Sequence, residues 1–355
     1  MLQPIAIVDI RGGGPLRHAM DHRAAARALR DDCLMFFPPA VAACIPLFDR
    51  LARHWLTRSR SPYVGEVAAI ARILGFPGVW FLNGSYQWGC TTMARDEDGA
   101  PWLARTLDWP FPGLGRHVTV ARCSGPAGEF MSVTWPGYVG TLTAMAPGRF
   151  GACINQAPLF RRTRTAWLRP YDIAANAIHA FGMRHIPPDQ LLRQAFETCP
   201  TFDAARTLLE RTPVARPVIY TLVGCRPGER CVIERTEETF TTHTGETVVA
   251  NDWQHSVEPW EGRVGSDLML RCSYQEACDN SRNRRDTLAR FGGSLAQGSF
   301  AWVVAPVLNR YTRVAVEMCP AQAHLRVAGF DSDHSESLPK RVTEICDVSL
   351  ARTAA

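Results

Sequence analysis

Metal-binding patterns are missing from this sequence. Its twelve cysteines form no C-x-x-C pair, and the closest approaches, Cys225 with Cys231 and Cys272 with Cys278, fall outside zinc spacing. The ten histidines make no H-E-x-x-H or H-x-H cluster. No metal is therefore expected, and nothing calls for another cofactor. A Gly-rich phosphate loop and a strand–helix–strand rhythm are absent too, which disfavours a doubly wound nucleotide-binding fold. Charge of one sign is scarce: 39 basic and 34 acidic residues leave a formal +5. The basic runs Arg161-Arg162-Thr163-Arg164 and Arg282-Asn283-Arg284-Arg285 lack interleaved aromatics, so nucleic acid is not an expected partner and solvated faces are the plainer reading. The uncharged stretch LMFFPPAVAACIPLF, residues 34–48, is too short to span a bilayer and is broken by Pro38, Pro39 and Pro46. It is read as buried helical core, with contact to lipid or a greasy substrate as the sharper alternative. The N-terminus has no basic region followed by an apolar run, so no signal peptide is read. With unpatterned cysteines, this favours a reducing cytoplasm.

What is present is a chain of 355 residues, 46% hydrophobic and 21% charged, long enough to fold without disulfides or metal. Its texture changes near residue 89. Before that point the pattern is helical, as in HRAAARALRDD and VGEVAAIARIL. In the second, Val64, Val67, Ala68, Ile70, Ala71 and Leu74 share one broad face. From Cys90 onward, short strands punctuated by Gly and Pro are expected near 91–95, 102–107, 117–122, 130–135, 141–145 and 151–155. Helices follow near 170–181, 188–198 and 202–211, strands near 218–224, 231–235 and 247–251, a helix over 281–291, and strands near 311–318 and 325–329. Strands in two groups with helices between and after them predict a layered α+β sandwich.

Around Cys90 the residues suggest chemistry. Gly89 precedes it, a charged turn (Arg95-Asp96-Glu97-Asp98-Gly99) follows the first strand, and a returning strand carries Arg105 and Asp108. In such a hairpin, thiol, guanidinium and carboxylate can share a strand end. A free thiol with a pKa of about 8.5 is mostly protonated at neutral pH and needs a base. No histidine is near in sequence. The α-amine of an N-terminal Cys90, with a reference pKa of about 8, would serve. Arg105 would then favour the thiolate, and Asp108 would orient the ammonium. Taken singly, Cys90 reads as a buried apolar residue and Arg105 with Asp108 as a surface pair.

The combination Cys90-Thr91, Asp98-Gly99, Arg105-x-x-Asp108 resembles the signature of the N-terminal-nucleophile hydrolases of the linear-amide group. That group holds the acid ceramidase, N-acylethanolamine acid amidase and isopenicillin-N acyltransferase branches. Residues 63–71 and 81–86 resemble the leader of those branches. Residues 135–144 followed by 151–155 resemble the G-x-x-G strand and the oxyanion Asn, here Asn155. Residues 248–253 place the second family Asn at Asn251, and 280–285 place the late Arg at Arg284, with Arg282 and Arg285 as neighbours in competition. Thr106 departs from the Asn many members carry, the turn before Arg105 is one residue shorter, and Gly89 fits only the acyltransferase-like cleavage site well. These departures leave branch and substrate open.

The resemblance implies a four-layer αββα sandwich. It divides the chain into a helical leader, residues 1–89, and a catalytic domain, residues 90–355, which stay bound after self-cleavage. It implies a zymogen in which Cys90 attacks the Gly89 carbonyl, then a thioester acyl-enzyme in turnover. Arg105, Asp108 and Arg284 would support Cys90, and Asn251 with Asn155 would stabilise the oxyanion. The substrate is expected to be a non-peptide N-acyl amide with an apolar acyl group. Tyr86, Trp88, Trp135 and Tyr138 are placed at its mouth, with core packing as the plainer role for the leader aromatics, and transient lipid contact is assigned to the leader. Acyl transfer to an amine, and a non-catalytic binding protein on the same fold, remain alternatives.

Overall fold

The computed structural model describes residues 2–85, 89–265, 268, 270–332 and 338–349. The chain opens with strand β1 (Ala6–Asp9) and six helices: α1 (Gly14–Asp21), α2 (Arg23–Leu34), α3 (Pro39–Ala42), α4 (Ile45–Leu56), α5 (Val64–Leu74) and α6 (Val79–Gly84). Strands β2 (Gly89–Glu97), β3 (Ala100–Asp108), β4 (Thr119–Gly125), β5 (Gly128–Thr134), β6 (Thr143–Ala146), β7 (Phe150–Gln156) and β8 (Leu159–Phe160) follow. Helices α7 (Arg169–Gly182), α8 (Pro188–Thr198) and α9 (Phe202–Arg211) lead to β9 (Val218–Val223), β10 (Arg230–Arg235), β11 (Phe240–Thr244), β12 (Thr247–Val249) and β13 (Trp260–Glu261). The chain ends with α10 (Tyr274–Ala289), β14 (Thr312–Cys319), β15 (His324–Asp331), β16 (Lys340–Arg341) and β17 (Cys346–Ser349).

Two sheets carry the fold. One has the order β1-β4-β5-β6-β7-β9-β10-β11, and the other β12-β2-β3-β14-β15-β16, with β17 also on β15. Side chains alternate across each strand, and the alternation builds the layers. Cys90, Ala94, Leu103 and Leu107 join the cluster shared by both sheets, whereas Met93, Trp102 and Ala104 pack with Leu288 of α10. Outside the first sheet, Phe196 of α8 stacks on Phe130 at 5.5 Å and Phe150 at 4.7 Å. Helices therefore cover both outer faces, which gives the α-β-β-α sandwich.

The leader differs from expectation in two ways. It is not helical throughout: β1 adds a strand, pairing in parallel with Thr119–Arg122 of β4. The β-branched run at Ile5, Ile7, Val8 and Ile10 favours that extended conformation. Nor is the 34–48 stretch wholly buried. Ile45 lies inside, but Met35, Phe36, Val41 and Leu47 face outward, Met35 at 74% exposure. Proline at 38, 39 and 46 cuts the run into the one-turn α3 and the start of α4, leaving too few turns to bury every side chain. Further on, α10 begins seven residues before the expected start, where Ser273 and Glu276 form a capping box. Among the described residues, no helix is long and apolar enough to cross a membrane.

Candidate active site

Strands β2 and β3 pair with Cys90 opposite Leu107, Thr92 opposite Arg105 and Gly89 opposite Asp108. Arg105 and Asp108 are three residues apart on a strand, an odd interval, so they leave opposite faces of the sheet. Arg105 points between the sheets with the Cys90 side chain. Asp108 lies on the α10 side, at the strand end beside Gly89. The two groups thus lie on different sides of the strand, Arg105 at the sulfur of Cys90 and Asp108 beside Gly89.

Between the sheets, Arg105 Nη2 donates to Cys90 Sγ at 2.7 Å and to Ile154 O at 3.0 Å, and Nη1 donates to Thr143 Oγ1 at 2.7 Å. The thiol itself faces Ile154 O at 3.5 Å. Burial pushes the Cys90 thiol up to about 12, against the pull of Arg105 and with a further upward push from Asp108. Neutral thiol is therefore the resting form at ordinary pH. Thr92 Oγ1 donates to Asn155 Oδ1 at 2.8 Å, and Asn155 Nδ2 donates to Ala250 O at 3.0 Å. Asn155 thereby ties β7 to β2 and to the segment that carries Asn251.

On the α10 side, Asn251 Oδ1 accepts from Cys90 N at 2.8 Å and from Arg284 Nη1 and Nη2 at 3.1 Å each. A guanidinium only donates, so the carbonyl oxygen of Asn251, not its amide nitrogen, faces residue 90. The amide nitrogen donates to Gln156 O at 2.8 Å. Both asparagines read as oxyanion donors thus spend an amide hydrogen on a backbone carbonyl. Asn251 also holds the nitrogen of Cys90. Its own backbone N–H donates to Ser281 Oγ at 2.8 Å. Arg284 Nη1 reaches Cys90 O at 2.8 Å and Thr91 Oγ1 at 3.1 Å, and lies 3.8 Å from Asp108 Oδ2. Burial pulls the Arg284 guanidinium below its ordinary value, and Asp108 counters that pull. Arg282 pairs with Asp279 and Arg285 with Asp286, so Arg284 is the member of that run that faces the site.

Gly89 is pinned by space. A Cβ there would sit 3.2 Å from Asp108 Cβ and 3.5 Å from both Asn251 Oδ1 and Asp108 Oδ2. Gly89→Val is accordingly expected to destabilise the fold by about 1–3 kcal/mol, the usual cost of overpacking, read as a fall in melting temperature.

Of the remaining sequence-assigned positions, Tyr86 and Trp88 lie outside the described residues. Trp135 and Tyr138 are buried and satisfied internally: Trp135 Nε1 donates to Leu114 O at 2.7 Å and Tyr138 Oη to Asp189 Oδ2 at 2.8 Å. Their rings pack with Trp109 at 5.8 and 6.4 Å, which makes them core rather than mouth. Three polar residues that sequence reasoning missed complete the site: Thr143 on Arg105, and Asn309 and Thr312 on Asp108 at 2.7 and 2.8 Å. Among the described residues, no group of three His, Cys, Asp or Glu side chains is placed to hold a metal.

No family model matches the sequence. The N-acylethanolamine-hydrolyzing acid amidase of Oryctolagus cuniculus is 30% identical over 185 residues, covering 50% of this chain and 48% of that one. A probable acid ceramidase of Caenorhabditis elegans is 26% identical over 295 residues, 73% of this chain and 70% of that one. The chain thus spans about half the length of the acid amidases it matches. Among solved structures, a Caenorhabditis elegans N-acylethanolamine-hydrolyzing acid amidase ortholog aligns at TM-score 0.48 and 16% identity, covering 65% of this chain and 93% of that one. By sequence, the chain is similar to N-acylethanolamine-hydrolyzing acid amidases over half its length and to a probable acid ceramidase over most of it.

Proposed function

We propose that the chain is a self-processing cysteine amidase acting on N-acyl amides with apolar acyl groups. The single observation that carries the reading is the pair of contacts on Cys90, a guanidinium on its sulfur and the Asn251 carbonyl oxygen on its nitrogen. In maturation, Sγ bonds to the Gly89 carbonyl carbon and the Gly89–Cys90 C–N bond breaks. The thiol proton passes to the departing nitrogen, and water then resolves the thioester to a Gly89 carboxylate and a free thiol. Cutting creates the base that the uncut site lacks. The new α-amine stays on Asn251 Oδ1, near Asp108, and takes the thiol proton when Cys90 attacks a substrate amide. It returns that proton to the leaving amine, and water releases the acid. Arg105 supports the thiolate, Arg284 braces Asn251 and the Cys90 carbonyl, and the second amide hydrogen of Asn251 is the donor left for the tetrahedral oxygen.

An apolar groove between leader and sandwich supports the acyl assignment. Phe37, Phe81, Leu82 and Ser85 line it from the leader, and Phe111 and Pro136 from the other side. Phe111 follows Asp108 by three residues, so the groove adjoins the end of the strand that carries Arg105. The names of the relatives, a hydrolase of N-acylethanolamines and a ceramidase, agree with this substrate class. We assign the outward-facing Met35, Phe36, Val41 and Leu47 to transient contact with the lipid that holds such substrates. A reducing compartment suits a nucleophile that must stay a free thiol.

The test is a series of N-acyl amides of increasing acyl length offered to the cleaved protein, with and without hydroxylamine. Free acid and amine are expected, faster as the acyl chain grows. Acyl hydroxamate displacing the acid at low hydroxylamine would make the protein an acyltransferase, and no turnover of any amide would leave the amidase reading without support. The leader is expected to co-elute with the large fragment after cleavage and to part from it only in denaturant. It shares a sheet through β1, and Glu66 of α5 pairs with Arg193 of α8. Two separate peaks in native gel filtration would contradict that.

A further inference from the structure

An irregularity in the second sheet decides what faces Asp108. Strand β14 runs antiparallel to β3 with Val314 opposite Leu107. Continued evenly, that register sets Arg313 opposite Asp108. A bulge between Thr312 and Val314 instead places Thr312 there, and bulges commonly re-aim side chains in this way. The Arg313 guanidinium turns aside to the carbonyl oxygens of Phe111 at 2.9 Å and of Arg310 and Thr312 at 3.1 Å.

Asp108 receives neutral donors in place of that arginine. Thr312 Oγ1 donates to Oδ1 at 2.8 Å, and Asn309 Nδ2 donates to Oδ2 at 2.7 Å. The turn is closed on itself: Asn309 N donates to Thr312 Oγ1 at 3.0 Å, and Tyr311 N donates to Asn309 Oδ1 at 3.0 Å. The charged neighbours of Asp108 are Arg284 from α10, at 3.8 Å, and Arg313 from β14 at longer range. Beside it on β2 lie Gly89 and Cys90. An arginine directly opposite would engage the carboxylate in both of its oxygens and leave little attraction for an ammonium.

Resting on the amidase reading, we propose that Asn309 and Thr312 are positioning residues. Brought into place by the bulge, they fix the Asp108 carboxylate beside residue 90 and reserve its charge for the α-ammonium that cleavage creates. Neither residue bonds the thiol, so they act only through Asp108.

The test uses the full chain carrying Thr312→Val, Asn309→Leu or Thr312→Ser, with Cys90→Ala alongside. In the first two, kcat is expected to fall about 10- to 100-fold, the range for a lost hydrogen bond to a charged group, with KM little changed. Thr312→Ser keeps the hydroxyl and is expected to restore kcat. Unchanged kcat in Val and Leu would overturn the proposal. So would a loss of kcat that follows melting temperature and is not restored by Thr312→Ser. Turnover by Cys90→Ala would instead remove the amidase reading beneath it, so the two failures are distinguishable.

Discussion

Cys90→Ala is expected to remain one uncut chain and to lose amidase turnover by on the order of 10⁵- to 10⁶-fold, as deletion of a covalent nucleophile does elsewhere. The structure makes this variant a clean test. Cys90 is fully buried, and alanine fits its space without clash. Only one sulfur is lost, an expected stability cost of about 1 kcal/mol. The backbone contacts of residue 90, its N–H to Asn251 and its carbonyl oxygen to Arg284, are unchanged by the substitution. Loss of processing in a chain that melts near the wild-type temperature therefore reports chemistry and not misfolding. Denatured intact mass reads cleavage, and amine release reads turnover. Fragments meeting at Gly89 and Cys90 in the alanine variant would point to an outside protease. Fragments meeting elsewhere in the wild type would move the nucleophile to another residue.

Much of this site was legible because its chemistry is encoded locally. Cys90, Arg105 and Asp108 lie on one hairpin whose turn, Asp98-Gly99, is marked by residues suited to positive φ, and both adopt it. The sandwich was legible too, since strands with strict alternation alternate in packing, as Cys90, Met93 and Ala94 do. The odd spacing of Arg105 and Asp108 was also readable as opposite faces, although proximity alone was inferred from it. What escaped has a common physical origin. Thr143 lies 38 residues from Arg105 and Asn309 lies 201 from Asp108. No local periodicity marks a residue whose partner is set by sheet order, and a bulge that exchanges Thr312 for Arg313 changes no pattern of apolar and polar residues. The roles of the Asn251 atoms escaped for another reason. An asparagine carries both a donor and an acceptor, and which one faces a site is settled only by its neighbours, here a guanidinium that cannot accept. Strand β1 is four residues long and edge-on, too short to stand out beside six helices.

Arg105→Met is expected to lower kcat/KM by about 10²- to 10³-fold, comparable to removal of one preorganised donor from a charge-bearing site. The reason lies in the position of the thiol. Burial has already pushed Cys90 up to about 12 with Arg105 in place, and Arg105 is the foremost influence drawing it down. Without the guanidinium, the thiolate loses a charge-assisted partner at 2.7 Å in a buried site. The sign follows directly: the thiol of the variant ionises at higher pH than that of the wild type. In the cleaved protein, the rate of Cys90 alkylation by iodoacetamide should rise with pH in both, with the variant's curve displaced upward. Arg105→Lys is expected to fall between them. An ammonium keeps the charge, but as a single point it cannot serve Thr143, Ile154 O and Sγ together as the planar fork does. An alkylation profile that does not move in Arg105→Met would reduce Arg105 to a brace between the two sheets. A displaced profile with turnover intact would mean that thiolate formation does not limit the reaction. Only displacement together with the loss in kcat/KM establishes Arg105 as the group that makes a buried, reluctant thiol usable.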